Sequence, residues 1–138
     1  MKKNEVPQDD DGLMEGKLKD LCYAVDENGK YVQVYSTGWE PKNAAMKQAW
    51  EEIDKKVRKT LRKVQEGRLS PVAFYMEKNI MNITLLAQYV DLPKRKVRKH
   101  LKPDVFSRLK PSILERYAST FDISVEELCN IKKMDKQL

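Results

Sequence analysis

LLAQYVDLPKRKVRKHL, residues 85–101, decides how the rest of the chain is read. Apolar residues recur at helical spacing up to Leu92, and Pro93 then opens a second helix directly after a tight turn. Five of the six residues from Lys94 to Lys99 are Lys or Arg. With Val97 and Leu101 turned inward as anchors, the solvent side of this second helix is almost wholly cationic.

That charge is local. The 138-residue chain has a formal net charge of +6. Eight basic residues lie between Lys94 and Lys110 (Lys94, Arg95, Lys96, Arg98, Lys99, Lys102, Arg108, Lys110) against one acid, Asp104, while the remainder holds 19 basic and 20 acidic residues. A bias confined to one stretch is the electrostatic footprint expected for a polyanion, weighed against the common solvated lysine-rich helix face.

Working outward, the hydrophobic fraction of 41% supports a modest core. No apolar run approaches membrane-spanning length, so no membrane partner is expected. MKKNEVPQDDDG lacks the apolar segment of a secretory signal. Cys22 and Cys129 are far apart and lack metal-ligand spacing, so they read as reduced thiols of a cytoplasmic protein. Residues 1–19 are predicted to be a flexible acidic N-terminus and residues 132–138 a frayed tail.

Residues 20–67 read as a β-hairpin and a long helix. LCYAV and KYVQVY flank DENG, where Asn28-Gly29 supplies positive-φ turn positions. On the second strand Val32 and Val34 point one way, and Tyr31, Gln33 and Tyr35 the other. A helix starting near Pro41 carries Met46, Trp50, Ile53, Val57, Leu61 and Val64 in one stripe. The stripe either packs on the hairpin and the later helices or serves as a dimer seam, and Trp39 and Trp50 are expected in the core.

Residues 68–131 read as five short helices. Ser70-Pro71 opens the first, which directs Val72, Met76 and Ile80 inward. A break at Asn82 precedes LLAQYVDL, and the basic helix runs from Pro93 to about His100. KPDVFSRLKP connects, with a short helical turn placing Val105, Phe106 and Leu109 in the core. Ser112 with Glu115 and Ser124 with Glu127 each spell a capping box. The helix opened by the first buries Leu114, Tyr117, Ala118 and Phe121, and the second opens a last helix, VEELCNI.

This pattern resembles the lambda-repressor-like (Cro/C1-type, XRE) helix-turn-helix family over about residues 70–131. Leu86-Ala87, Leu92 and Val97 carry the likeness in the central pair of helices, and LERYASTFDISVEEL (114–128) carries it in the closing pair through Leu114, Ala118, Ile123 and Leu128. The fold class implied is mainly α: an N-terminal β-hairpin and long amphipathic helix, then a five-helix lambda-repressor-like domain. The sequence departs from the family at Asp91, where a turn glycine is usual, and at Ile83, where a phosphate-contacting glutamine is common. The connection from Lys102 to Lys110 is also longer than is common. By the family pattern Lys94, Arg95 and Lys99 meet base edges while Lys96, Arg98 and Lys102 reach phosphates. So uniform a set of cations implies strong backbone attraction with weak or guanine-biased readout.

The resemblance implies a transcription regulator that binds double-stranded DNA as a homodimer. An alternative is a protein-interaction module, such as the antitoxin of a toxin–antitoxin pair, with residues 20–67 holding a protein partner. An enzyme is not expected, nor any cofactor or metal. The chain has no Gly-rich phosphate loop, no metal-ligand cluster and no nucleophile–base pair. Its one histidine, His100, lies among cations and reads as a phosphate contact or helix-end residue. The clustered acids Asp9, Asp10 and Asp11 lie in the acidic N-terminus. No stacking-platform motif points to RNA.

Overall fold

The computed structural model describes residues 1–9, 19–134 and 136. A three-residue 3-10 turn (Lys3–Glu5) precedes strands β1 (Asp20–Val25) and β2 (Tyr31–Ser36). Eight helices follow among the described residues: α1 (Glu40–Gln65), α2 (Pro71–Lys78), α3 (Ile83–Tyr89), α4 (Lys94–His100), α5 (Pro103–Phe106), α6 (Pro111–Thr120), α7 (Val125–Cys129) and α8 (Ile131–Met134). The protein is therefore mainly helical with one antiparallel hairpin. It forms two compact units, Met1–Glu51 and Glu52–Leu138, with the division inside α1.

In the first unit β1 and β2 pair from Asp20↔Ser36 to Val25↔Tyr31. Their turn is tighter in its demands than Asn28-Gly29 implied, because only Gly29 takes a positive φ, +76°. Asp26 organises the rest, with its Oδ1 accepting from the amides of Asn28 and Lys30 at 2.8 Å each. Gly29 donates to Asp26 O at 3.1 Å, giving a three-residue hairpin loop.

Residues 1–9 do not hang free of this hairpin. Val25 N donates to Met1 O at 3.0 Å, Ser36 Oγ to Pro7 O at 2.5 Å and Asp9 N to Gly38 O at 3.0 Å. Val6 is buried. The polar composition concealed this, because the bonds are made by main chain whatever the side chains are. Gly38 is the residue that permits it, since a Cβ there would lie 2.4 Å from Asp9 O. Residues 10–18, the rest of the expected acidic tail, lie outside the described residues.

The stripe on α1 divides along its length. Val57, Leu61 and Val64 join the core of the second unit, with Ile53 partly buried against it. Trp39 and Trp50 are about half exposed rather than core. In that second core α2 is the central element. Pro71 to Met76 are all buried, as expected of a helix apolar all round, and the 3.6-residue reading that assigned only Val72 and Met76 inward was too narrow. Tyr75 stacks on Phe121 with ring centroids 5.6 Å apart, and Phe121 in turn on Tyr117 at 6.3 Å.

Ile80 is not inward. α2 stops at Lys78, and Ile80 takes φ +54° with its side chain 57% exposed. Met81 N reaches back to Met76 O at 2.9 Å, which closes the helix end and leaves Ile80 as the left-handed residue. Asp91 (φ +53°) and Asp122 (φ +55°) repeat the device. Leu92 N bonds Ala87 O and Ile123 N bonds Ala118 O, both at 3.0 Å.

Two further expectations change. Ser124 and Glu127 form their capping box, with Glu127 N donating to Ser124 Oγ at 3.1 Å and Ser124 N to Glu127 Oε2 at 2.9 Å. Ser112 forms none, because Pro111 is already inside α6 and Lys110 takes the cap position. The tail after 131 continues as α8, with Met134 fully buried in the core. From Pro71 onward the described residues thus hold seven helices, two of them only four residues long. Among the described residues no helix is long and apolar enough to cross a membrane.

Candidate nucleic-acid interface

α4 is a seven-residue helix whose buried side rests on Val97 and His100, followed by half-buried Leu101. Everything else on it is exposed: Lys94, Arg95, Lys96, Arg98 and Lys99, with Lys102 exposed just beyond. All six cations assigned from sequence therefore share one short segment and face solvent. Among the described residues none of the six pairs with a carboxylate, whereas Lys42 pairs with Asp20 and Arg68 with Glu66.

The helix is costly in isolation. Lys94–Arg98 and Arg95–Lys99 are like charges at i,i+4, and Arg95–Arg98 and Lys96–Lys99 are like charges at i,i+3, each unfavourable by about 0.2–0.5 kcal/mol. No acid occupies the first turn, where the helix dipole favours one. Tertiary anchoring supplies what the local sequence does not.

At the entry, Asn82 caps α3 by accepting from Leu85 N at 2.8 Å. α3 then ends through the left-handed Asp91, the residue standing where a turn glycine was noted as usual. The carbonyls exposed by this turn are taken up from α6: Arg116 Nη1 donates to Val90 O at 3.4 Å and Asp91 O at 3.3 Å. At the exit, Ser70 Oγ donates to His100 O at 2.7 Å and Ser70 N to Leu101 O at 2.8 Å. Ser70 thus spends its hydroxyl on α4 instead of capping α2.

His100 completes that exit. The residue is 8% exposed, with Nδ1 2.7 Å from Tyr117 Oη and the two rings edge-on. Burial, and then the charge of Lys96, lowers the histidine pKa below its ordinary 6.5, so the ring is neutral at pH 7. Burial likewise pushes the Tyr117 hydroxyl pKa above the ordinary tyrosine range. His100 is therefore a core residue, and the reading of it as a phosphate contact is withdrawn: Val97 and His100, three apart, define the same inward face.

The sequence read Ser70 as a helix cap and Tyr117 as a core residue, and it gave no sign of the ties that these two and Arg116 make to α4 and its turn. They lie 17 to 30 residues from their partners, and nothing local marks those pairings. Gln88 and Tyr89, exposed at the end of α3 beside the turn, were likewise unassigned. They would have been found by asking which α3 residues its buried pair, Leu86 and Ala87, leaves outside.

The second unit also has an open groove of about 640 Å³. Ile53, Met76, Ile80, Met81 and Ile83 line it, with Lys56 and Glu77. Among the described residues no group of His, Cys, Asp or Glu is placed to hold a metal ion. No family model matches this sequence, and neither does any curated protein or solved structure.

Proposed function

We propose that the protein is a DNA-binding transcription regulator in which α3, the turn at Asp91 and α4 act as a helix-turn-helix, with α4 lying in the major groove of double-stranded DNA. One observation carries the reading. A seven-residue helix presents five cations and a sixth beyond it with no carboxylate partner among the described residues, and bonds from Ser70 and from α6 hold it and its turn in place. Stability alone selects against such a helix, whereas a phosphate backbone would relieve both its internal repulsion and its unmatched first turn. Lys94, Arg95 and Lys99 are assigned to base edges, and Lys96, Arg98 and Lys102 to phosphates. Nothing in this reading calls for catalysis or a cofactor.

The test is fluorescence anisotropy with duplex DNA of mixed sequence across a salt series. Neutralising six phosphates gives a slope of log K against log salt of roughly −5. The Lys94/Arg95/Lys99→Ala variant should bind more weakly and with a shallower slope. A wild-type slope near zero, or a triple variant that binds as tightly as the wild type, refutes the proposal.

A further inference from the structure

The first unit is acidic: residues 1–51 carry seven basic and ten acidic side chains. One face of its hairpin departs from that character. In the strand register Leu21 lies opposite Tyr35, Tyr23 opposite Gln33 and Val25 opposite Tyr31, so these six side chains share a face that bears no charge. Leu21 is 47% exposed, Tyr23 63%, Tyr31 81% and Tyr35 62%. The opposite face, with Ala24 buried and Cys22, Val32 and Val34 half-buried, is the covered one. Gln33 Nε2 donates to Tyr23 Oη at 3.1 Å across the strands, which holds part of the outer face in one arrangement.

We propose that this face is a two-fold dimer interface, in which the hairpin packs against the same hairpin of a second copy. Three observations select that occupant. A nucleic acid would stack on tyrosines, but stacking platforms sit in cationic grooves, and this unit has an excess of acids. A strongly charged protein partner would find no charge on the face to match. A second copy would meet the same patch, and with no charge on either side nothing in it repels its own kind, which suits the self-complementarity of an isologous contact.

The area agrees. The exposed parts of the three tyrosines and Leu21 come to ~500 Å² per copy, hence ~1,000 Å² for the pair, the lower bound for a specific interface. Tyrosine also gives up little side-chain freedom on being buried, with two torsions for a large contact area. The inference stands on the hairpin alone and does not depend on DNA binding.

Sedimentation equilibrium of the full chain without DNA, from about 1 to 300 µM, tests it. The expected result is conversion of the 16.2 kDa monomer to twice that mass. Tyr31→Glu/Tyr35→Glu should weaken association on the order of 100-fold through like-charge juxtaposition. Mixing that variant with Tyr31→Lys/Tyr35→Lys should restore pairing as a mixed dimer. Both positions are exposed, and circular dichroism establishes that each variant stays folded. A monomer throughout the range, a dimer indifferent to the glutamates, or charge-swapped variants that fail to pair overturns the proposal. Because no DNA is present, none of these outcomes bears on the anisotropy result, and failure there leaves this interface standing.

Discussion

Replacing Tyr117 by phenylalanine removes one oxygen and asks whether the far end of α4 is held as described. Phenylalanine keeps nearly all of the ring volume at a site with no exposure, so no cavity opens. What changes is that His100 Nδ1, 2.7 Å from the hydroxyl, loses its partner. A buried polar group so stranded costs about 1–3 kcal/mol. The residue retains 8% exposure, and a water reaching Nδ1 would recover part of the loss, so we expect about 1–2 kcal/mol. His100→Leu strands the hydroxyl in the same way. The double variant leaves neither group orphaned, so a double-mutant cycle should return a coupling energy of about 1–2 kcal/mol.

The assay is urea unfolding followed by far-ultraviolet circular dichroism at pH 8, where the ring is neutral in both states. A Tyr117→Phe change within about 0.3 kcal/mol of wild type, or strict additivity in the cycle, refutes the reasoning. The same proteins give a pH test. The folded-state pKa of His100 lies below 6.5, so as pH falls through 6.5 the unfolded chain takes up this proton first. Its contribution to stability is complete above 6.5, declines towards the lower folded-state pKa, and stops declining once the folded ring is also charged. His100 is the one histidine of the chain, so this part of the slope should vanish in His100→Leu.

Three other outcomes follow from the geometry. The Lys94/Arg95/Lys99→Ala variant should lose DNA affinity yet gain about 1 kcal/mol of stability by removing like-charge pairs, measured by thermal unfolding without DNA; a loss of stability would contradict the view that these cations are kept against stability. Ile80→Gly should stabilise by about 0.5–1 kcal/mol, because relief of a β-branched residue at φ +54° outweighs the added freedom of the unfolded chain. Gly38→Ala should destabilise the first unit by about 2 kcal/mol or more, since its Cβ would meet Asp9 O at 2.4 Å. Faster hydrogen exchange at the Asp9 and Val25 amides would report it.

The sequence disclosed features whose causes are local. The hairpin follows from a turn needing one glycine, the Ser124 box from two residues three apart, and the exposed cations of α4 from the spacing of Val97. Where one local signal competed with another, the reading failed: Ser112 looked like a cap until Pro111 took the first helical position. Ile80 kept the helical period of Val72 and Met76, but the chain had already turned. Long-range ties left no mark at all. Serine, arginine and tyrosine at 70, 116 and 117 are ordinary residues until the fold brings them to α4. The first nine residues look soluble and structureless because main-chain pairing has no side-chain signature. Trp39 and Trp50 were expected in the core, Trp50 through its place in the apolar stripe of α1, yet both stay half exposed, since a large aromatic side chain is seldom fully buried.

The repeated helix stop has a consequence for how this chain tolerates change. From Arg68 to Leu138 there is no glycine, yet three helices there end through a left-handed residue: Ile80, Asp91 and Asp122. After each, an apolar residue returns to the core as Met81, Leu92 or Ile123. In most proteins a helix-terminal glycine is the residue that resists substitution. Here the order is reversed. The left-handed positions are occupied by residues that pay for the conformation in the folded state, while the glycine-free backbone leaves the unfolded chain with less freedom to lose. A saturation screen of the three sites should therefore rank glycine and asparagine first, and valine and threonine at the bottom, marking three points at which the domain holds unspent stability.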